Sequence, residues 1–469
     1  MGISFNPASL LNGQGIDVSS LVSQILSNSS GQLTEWQSEQ TNLQGQASDL
    51  TVINSALTDL ATAVTALADP LGALTAQLAT SSDTGVLTAT AATSAVAGNH
   101  SIVVSNLASA GTVYTNDFAG GANASILPNG ATTGEIDLQV GSSTTAVPIT
   151  ITPGSNDTLT TLASYINGQN LGVNASVITD ANGSRLALVS QSTGTPGALA
   201  ITSNNTSLTF NAPSGGTNAA ITLDGIPYSS ATNTITGAIP GVTLNLTGSS
   251  PTPVQLSVGP DAGQATTAIN NFVSAYNQVI GDINTEFAFN TSTNTQGPLG
   301  GDSLVSQVQS SLLNDSAYSI SGNSGYVNLA SLGINTNNDG TLTVDSSQLS
   351  SALASNPAAV LNFFQNTSST GFANNFNTDL TNLTDPVQGP INVDLAQNQA
   401  EQTDLTTTIT NFQTQLTAQQ TALTAQYDAV NASLQAYPLL LQQITETLAT
   451  LGSGSSSTST TSPILTSGL

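Results

Sequence analysis

The hydrophobic period of this chain changes twice along its length, and that change decides what the chain can fold into. Toward the N-terminal end Leu50, Ile53, Leu57, Leu60, Val64 and Leu67 alternate spacings of three and four, and Leu43 and Trp36 extend the row backwards by sevens. This is the stripe of a helix that buries one face against another helix. Asp69-Pro70 ends it, because the residue before a proline is pushed out of the α region. Toward the C-terminal end Ile409, Leu416, Leu423, Val430, Tyr437, Ile444 and Leu451 recur by sevens, and Leu405, Phe412, Leu434, Leu441 and Leu448 fill the alternate positions. A helix over that stretch would be roughly 65 Å long, with Pro438 expected to kink or break it. Thr, Asn and Gln flank both stripes, so intrinsic helicity is low and both helices need partners.

Between the ends the period drops to two. Residues 101–109, 134–140, 146–153, 174–180, 185–190, 220–228, 241–248 and 254–259 are short, rich in Val, Ile and Thr, and bounded by Gly, Asn, Pro and Asp. They read as strands and turns, with one embedded helix at 157–167 for which Asp157 is the expected N-cap. Helical patterning returns at 261–287 and 302–313. Two coiled-coil-like ends most simply pair with each other. The expected fold class is therefore α+β and multidomain: a helical stalk formed by both chain ends, with an inserted β-rich head of two small domains. The expected divisions are an amphipathic or disordered leg segment at 1–30, a stalk at 31–79 plus 261–385, and one head domain at 80–110 plus 216–260. A second head domain with the helix at 111–215, a C-terminal helical leg at 386–452 and a disordered tail at 453–469 complete them.

Charge narrows the partners. The chain carries 27 acids against one base, Arg185, and one histidine, His100, for a net charge of −26. A phosphate backbone needs Lys or Arg, so nucleic acid is excluded, and an anionic membrane surface is disfavoured. Thr, Ser, Asn and Gln carry the surface instead. That suits a life outside the cytoplasm, in acidic surroundings, and equally a lineage-wide compositional bias. Cysteine is absent, which removes disulfides, thiolate nucleophiles and Cys-ligated metals. With aromatics at 4%, the cores are expected to be mostly Leu, Ile, Val and Ala. No basic-then-apolar leader opens the sequence and no run of about 20 apolar residues is evident, so neither a cleaved signal nor a membrane span is expected.

Sites for chemistry are poor. Residues 335–346 place Asn335, Asn337, Asp339 and Gly340 as a calcium loop would, yet Ser346 stands where the bidentate Glu belongs; a turn between two strands is expected. Gly13 and Gly15 have no preceding strand and no third glycine, which rejects a dinucleotide loop. His100 has no nucleophile elbow to serve and is expected in a turn entering a strand. Arg185 is expected in a hairpin, paired with an acid such as Asp180. Six acids across 111–260, with few aromatics to stack on sugars, make a weak glycosidase. No catalytic residue, metal or cofactor is expected.

The residues 15–26 (GIDVSSLVSQIL), 92–110, 221–246, 272–283 and 329–364 together resemble, in order, the flagellar filament cap family, also called hook-associated protein 2. Residues 157–194 are similar to a small β motif shared by hook-related and flagellin-related proteins. The main departure is that Gln, Thr and Asn stand where that family's helices carry interspersed charges. The resemblance implies a non-enzymatic, extracellular protein at the flagellum tip, exported without a cleaved signal. It implies a homo-oligomeric ring that retains flagellin and promotes its folding and insertion, with the hook–filament junction proteins and an export chaperone as further partners. The alternatives are an adhesin or carbohydrate-binding surface protein, or another flagellar axial protein. The stripe at 36–67 is expected to serve an intramolecular helix pair. Contacts with partners or with further copies are expected at Ile16, Val18, Leu21, Val22, Ile25 and Leu26, and at Ile409, Leu416, Leu423, Val430, Tyr437, Leu441, Ile444 and Leu448.

Overall fold

The computed structural model describes residues 17–292, 294–366 and 370–453. It opens on one long helix, α1 (Val18–Ala68), capped by the Asp17 carboxylate, which accepts the Ser20 amide at 3.1 Å. The division expected near residue 30 falls inside unbroken helix, and residues 18–30 are helical rather than disordered. The physical reason is that no proline lies between the Asp17 cap and Asp69-Pro70; the two interior glycines, Gly31 and Gly45, cost only about 1 kcal/mol each.

Three strands follow, β1 (Gln77–Ser81), β2 (Leu87–Ala91) and β3 (Gly98–Asn106). The chain then makes an excursion through β4 (Ala110–Tyr114), β5 (Gly134–Val140), β6 (Val147–Ile151), α2 (Leu159–Gly168), β7 (Val173–Asp180), β8 (Gly183–Thr193) and β9 (Leu199–Asn204). It returns through β10 (Ala219–Leu223), β11 (Ile226–Ser230), β12 (Thr234–Ile239), β13 (Val242–Leu246) and β14 (Ser250–Pro260). The rest is helical: α3 (Ala262–Phe287), α4 (Ser303–Ser316), a hairpin of β15 (Ile334–Thr336) and β16 (Leu342–Val344), then α5 (Ser346–Ser355), α6 (Pro357–Phe364), α7 (Phe372–Leu383) and α8 (Pro390–Ser453).

The outgoing and returning strands build a five-stranded sheet, β1-β14-β3-β10-β11, and a three-stranded one, β12-β13-β2. Ile102, Val104, Leu244 and Leu256 belong to the single core these two sheets share. The excursion forms its own core from β4-β8-β7, β6-β5-β9 and α2, with Ile136, Leu138, Leu162, Ile166, Leu186 and Leu188 inside. A stalk with a β-rich insertion is thus the observed architecture. Strand pairing is antiparallel throughout the head, so alternation in sequence survives as alternation of burial, clearest in β8 and β13.

Local chemistry explains where the sequence expectations held and where they shifted. Asp224 and Gly225 take φ of 52° and 84° between β10 and β11, the left-handed pair that a two-residue hairpin needs. Asp224 also accepts the Ser101 amide at 2.8 Å and faces His100 Nδ1 at 2.8 Å, so His100 lies within β3 rather than in a turn. Arg185 pairs with Asp180 at 2.8 Å and with Asp117 at 2.8 Å. The N-cap of α2 is Thr158, not Asp157: Thr158 is the extended residue and forms a reciprocal capping box with Thr161. Asp157 instead accepts the Gly154 amide at 3.0 Å and holds the preceding turn. The pseudo-calcium loop joins β15 to β16 as a hairpin.

The stalk core corrects the aliphatic expectation. Phe272, Tyr276, Phe363, Phe364, Phe372 and Phe376 are its largest fully buried side chains, beside Leu50, Ile53, Leu57, Leu60 and Leu67 of α1. The rings interlock: Phe372 lies 5.5 Å from Phe272, Phe363 and Phe376. Aromatics are scarce over the whole chain, yet they are concentrated where the α1 stripe meets α3 and α7. Among the described residues one stretch, Ser29–Ala68, is long and apolar enough to cross a membrane. Interspersed Thr, Asn and Asp hide that average from a search for apolar runs. Its apolar stripe is packed into the stalk core.

Candidate assembly surface

α1 and α8 run antiparallel, and their register can be read from side-chain pairs. Asn54 Nδ2 donates to Asn392 Oδ1 (3.3 Å), Asn398 Nδ2 to Gln46 Oε1 (3.2 Å), Gln402 Nε2 to the Leu43 carbonyl (3.3 Å), and Gln40 Nε2 to Thr406 Oγ1 (2.9 Å). Trp36 then meets Phe412 edge to face at 5.1 Å. Each step back along α1 is one step forward along α8. Carried from Gln40 to Val18, the register reaches Asp428. Residues 429–453 of α8 therefore run past the start of α1, an overhang of roughly 37 Å.

Burial along the seven-residue row follows this geometry. Ile409 is buried, and Leu416 and Leu423 are half-buried. Val430 is 44% exposed, Tyr437 65%, Leu441 62%, Ile444 48% and Leu448 62%. On α1, Val18 and Val22 are buried, Leu21 and Leu26 half-buried and Ile25 exposed. Ile16 lies outside the described residues. The expected set thus divides into residues engaged in the α1–α8 pair and residues on a free helical face. Sequence reasoning passed over Leu439 and Leu440, 70% and 56% exposed; their signal was the Leu439-Leu440-Leu441 run next to Pro438. The helix continues through Pro438 unbroken, although proline supplies no N–H to the Leu434 carbonyl.

The electrostatics near the root of the pair come from acids alone. Burial, the Asp302 carboxylate and Glu401 push Asp394 up to about 6. Burial, followed by the adjacent Asp379, pushes Asp315 up to about 8. Burial also raises Asp49 and Glu286. The exposed cap Asp17 moves the other way, its carboxylate stabilised first by the Ser19 hydroxyl and then by the Ser20 amide. No base approaches these groups, because Arg185 and His100 both lie in the head. The α1–α8 contacts named above are apolar packing and hydrogen bonds between neutral groups rather than ionic.

This arrangement defines a class: a multidomain structural protein whose chain ends pair into a stalk, carry an inserted β head, and extend an apolar helical face beyond the pair. The comparisons name the family. Residues 14–111 match "Flagellar hook-associated protein 2 N-terminus", residues 216–437 match "Flagellar hook-associated protein 2 C-terminus", and residues 130–192 match "Flagellin hook IN motif". The B-type flagellar hook-associated protein 2 of Pseudomonas aeruginosa is 30% identical over 71% of this chain and 74% of its own length. The flagellar hook-associated protein 2 of Escherichia coli K12 is 27% identical over 75% and 79% respectively. The crystal structure of the Escherichia coli flagellar cap protein FliD, domains D1-D2-D3, matches at TM-score 0.57 and 28% identity, covering 75% of this chain and 99% of that one. The chain belongs to the flagellar hook-associated protein 2 family, a family of structural filament caps. Nothing in these comparisons supports the adhesin or carbohydrate-binding alternative.

Proposed function

We propose that this chain is a subunit of the cap at the distal end of a flagellar filament, where copies of it associate and hold exported flagellin while it folds and inserts. The observation that carries the reading is the overhang of α8. A helix of low intrinsic helicity displays Tyr437, Leu441, Ile444 and Leu448 to solvent, and such a face is stabilised by packing against another helix. The α1–α8 pair positions that face, and the head stands at the other end of the stalk as the plate. Contacts made without basic residues rest on shape, apolar area and amide hydrogen bonds, so they let a leg exchange partners as the cap moves on the growing tip.

The finer assignments follow the same logic. Ile16, Leu21, Ile25 and Leu26 of the N-terminal segment and the exposed part of the α8 row serve contacts with flagellin, the junction proteins and further copies, while Val18 and Val22, buried in this chain, support that face. A cytoplasmic chaperone shields the apolar ends before export. The test is complementation of a cap-null strain. A chain lacking residues 429–469 is expected to keep the thermal transition of the stalk and head, yet to leave cells without filaments and with monomeric flagellin in the medium. Normal filaments from that deletion overturn the reading.

A further inference from the structure

The strand edges of β4 and β6 in the second head domain are covered, but the cover on β7 stops halfway. The returning chain covers β4: the Thr112 amide donates to the Ser214 carbonyl at 2.7 Å and the Asn116 amide to the Thr209 carbonyl at 2.8 Å. Asn156 covers β6, donating to the Thr150 carbonyl at 2.9 Å and accepting the Thr152 amide at 2.7 Å, and Pro148 has no N–H to offer there. On β7 the Asn167 side chain does the same at Ala175, donating to its carbonyl at 2.8 Å and accepting its amide at 2.7 Å. Beyond that rung the edge is open. Ser184 and Leu186 of β8 turn their backbone groups toward Phe118 and Thr115, so the residues opposite them on β7, Thr179 and Val177, turn theirs outward. Among the described residues nothing bonds to those outward amides and carbonyls. Between them Ile178 is 53% exposed on the outer face of the sheet.

We propose that this outer half of β7 is an edge through which two copies of the chain pair, antiparallel and about a two-fold axis at Ile178. The register is self-complementary. Val177 of one copy falls opposite Thr179 of the other as a hydrogen-bonded pair, and the two Ile178 side chains meet on the exposed face. The sealed rung at Ala175 falls opposite Ala181 in the β7–β8 turn of the second copy, so clamp and turn end the pairing at the same point. Charge favours this edge too. Copies at −26 repel each other. Here, however, the chain's single Lys or Arg, Arg185, holds both Asp180 and Asp117 at 2.8 Å, and Asp180 of one copy falls opposite the Ser176 hydroxyl of the other. An unrelated extended segment would gain the main-chain bonds but not the Ile178 pair. A contact this short is weak alone. Isologous pairing does not close a ring, so the contact joins copies of separate assemblies head to head and repeats around them.

The full chain has no cysteine, so a single introduced one reports its position cleanly. Facing Cα atoms at about 4.5 Å suit a disulfide. Ile178→Cys under mild oxidant, in high salt to screen the net charge, is expected to give a disulfide-linked dimer. Val147→Cys, 42% exposed on β6, is expected to stay monomeric under the same conditions. Thr179→Pro removes an outward N–H without touching the β7–β8 ladder, and in the Ile178→Cys background it should abolish the dimer. Adding Leu441→Ala, Ile444→Ala and Leu448→Ala to Ile178→Cys should keep it, which separates this edge from the legs. Should Thr179→Pro disturb folding, amide exchange in the unaltered chain decides. The Val177 and Thr179 amides should exchange fast when dilute and slowly when concentrated, and exchange independent of concentration overturns the edge. So does an absent dimer from Ile178→Cys, or as much dimer from Val147→Cys. A dimer that survives Thr179→Pro in a folded chain, or a cross-link in cells to a different protein in place of a second copy, overturns it equally.

Discussion

The two halves of α8 carry the same seven-residue apolar row and share a composition of Thr, Gln, Ala and Leu, yet one half is a stalk element and the other a free surface. From Ile391 to Ile409 the row is covered by α1 and the stalk helices. From Val430 to Leu451 the same row is open. The cause is a difference in length and register: α1 has 51 residues and α8 has 64, and pairing at the root leaves the far end of α8 without a counterpart among the described residues. A heptad row reports that a face wants cover. It does not say whether the cover belongs to the same chain.

The sharpest way to break that comparison is to cut apolar groups from each side of it. Phe372→Ala empties a ring site bounded by Phe272, Phe363, Phe364 and Phe376, and should lower stability by about 3–5 kcal/mol in a denaturant melt. Leu441→Ala, Ile444→Ala and Leu448→Ala should each shift stability by less than about 0.5 kcal/mol, because those side chains are already in water. Combined, the three should nonetheless abolish filament capping and weaken self-association in sedimentation. A triple variant that melts like Phe372→Ala would mean the overhang is folded against its own chain after all.

A second test separates the root from the overhang by pH. Asp315 titrates near 8 and Asp394 near 6 in the folded chain, both raised from the ordinary carboxyl range by burial and by neighbouring acids. Between the unfolded value and these folded values the native state holds protons that the unfolded chain has released, so stability falls as pH rises. The stabilising contribution is complete below about pH 4 and is lost as pH climbs through 6 and then 8. The exposed cap carboxylates Asp17, Asp339, Asp345 and Asp385 act in the opposite sense, losing their contribution as pH falls through their lowered values. Maximum stability is therefore expected at mildly acidic pH, with a decline above it. Asp315→Asn should flatten the limb between pH 6 and 8, and an unchanged slope in that variant would reject the assignment.

How much of this was legible in the sequence depends on the range over which each feature is decided. The stripes of α1 and α8 and most strands of the head are written in local periodicity and stand where it puts them. Residues 220–228, read as one strand, are instead two, β10 and β11, turned at Asp224-Gly225, and β4, β9 and β12 were missed. The edge strands β1 and β2 and the short helices α5 to α7 were not legible. Each has ten or so residues at most of clear pattern, and tertiary packing rather than propensity selects its form. The Asp157 cap failed by one residue, since either Asp157 or Thr158 could accept the N3 amide and only the backbone angle at Thr158 decides. The candidate surface was half legible: the row was visible, but its division at Asp428 depends on where α1 begins and on a register fixed by Gln40, Gln46, Asn398 and Thr406, residues with no periodic signature.

The smallest effect probes the boundary between the two halves. Trp36 is the chain's single tryptophan, half-buried, and its edge-to-face contact with Phe412 is the outermost ring contact of the α1–α8 pair. Trp36→Leu keeps an apolar side chain but deletes the ring geometry, so it should cost about 0.5–1.5 kcal/mol, well short of the Phe372 effect. The indole also reports on its own surroundings without a label. If the pair frays from its open end, Trp36 emission should shift to the red at lower denaturant than the far-ultraviolet signal of the head and stalk. Truncating residues 429–469 should leave that early transition in place, because the removed segment lies beyond the register of Trp36. A coincident loss of both signals would show instead that the overhang and the root unfold as one unit, and the contrast between the halves of α8 would then concern exposure alone and not stability.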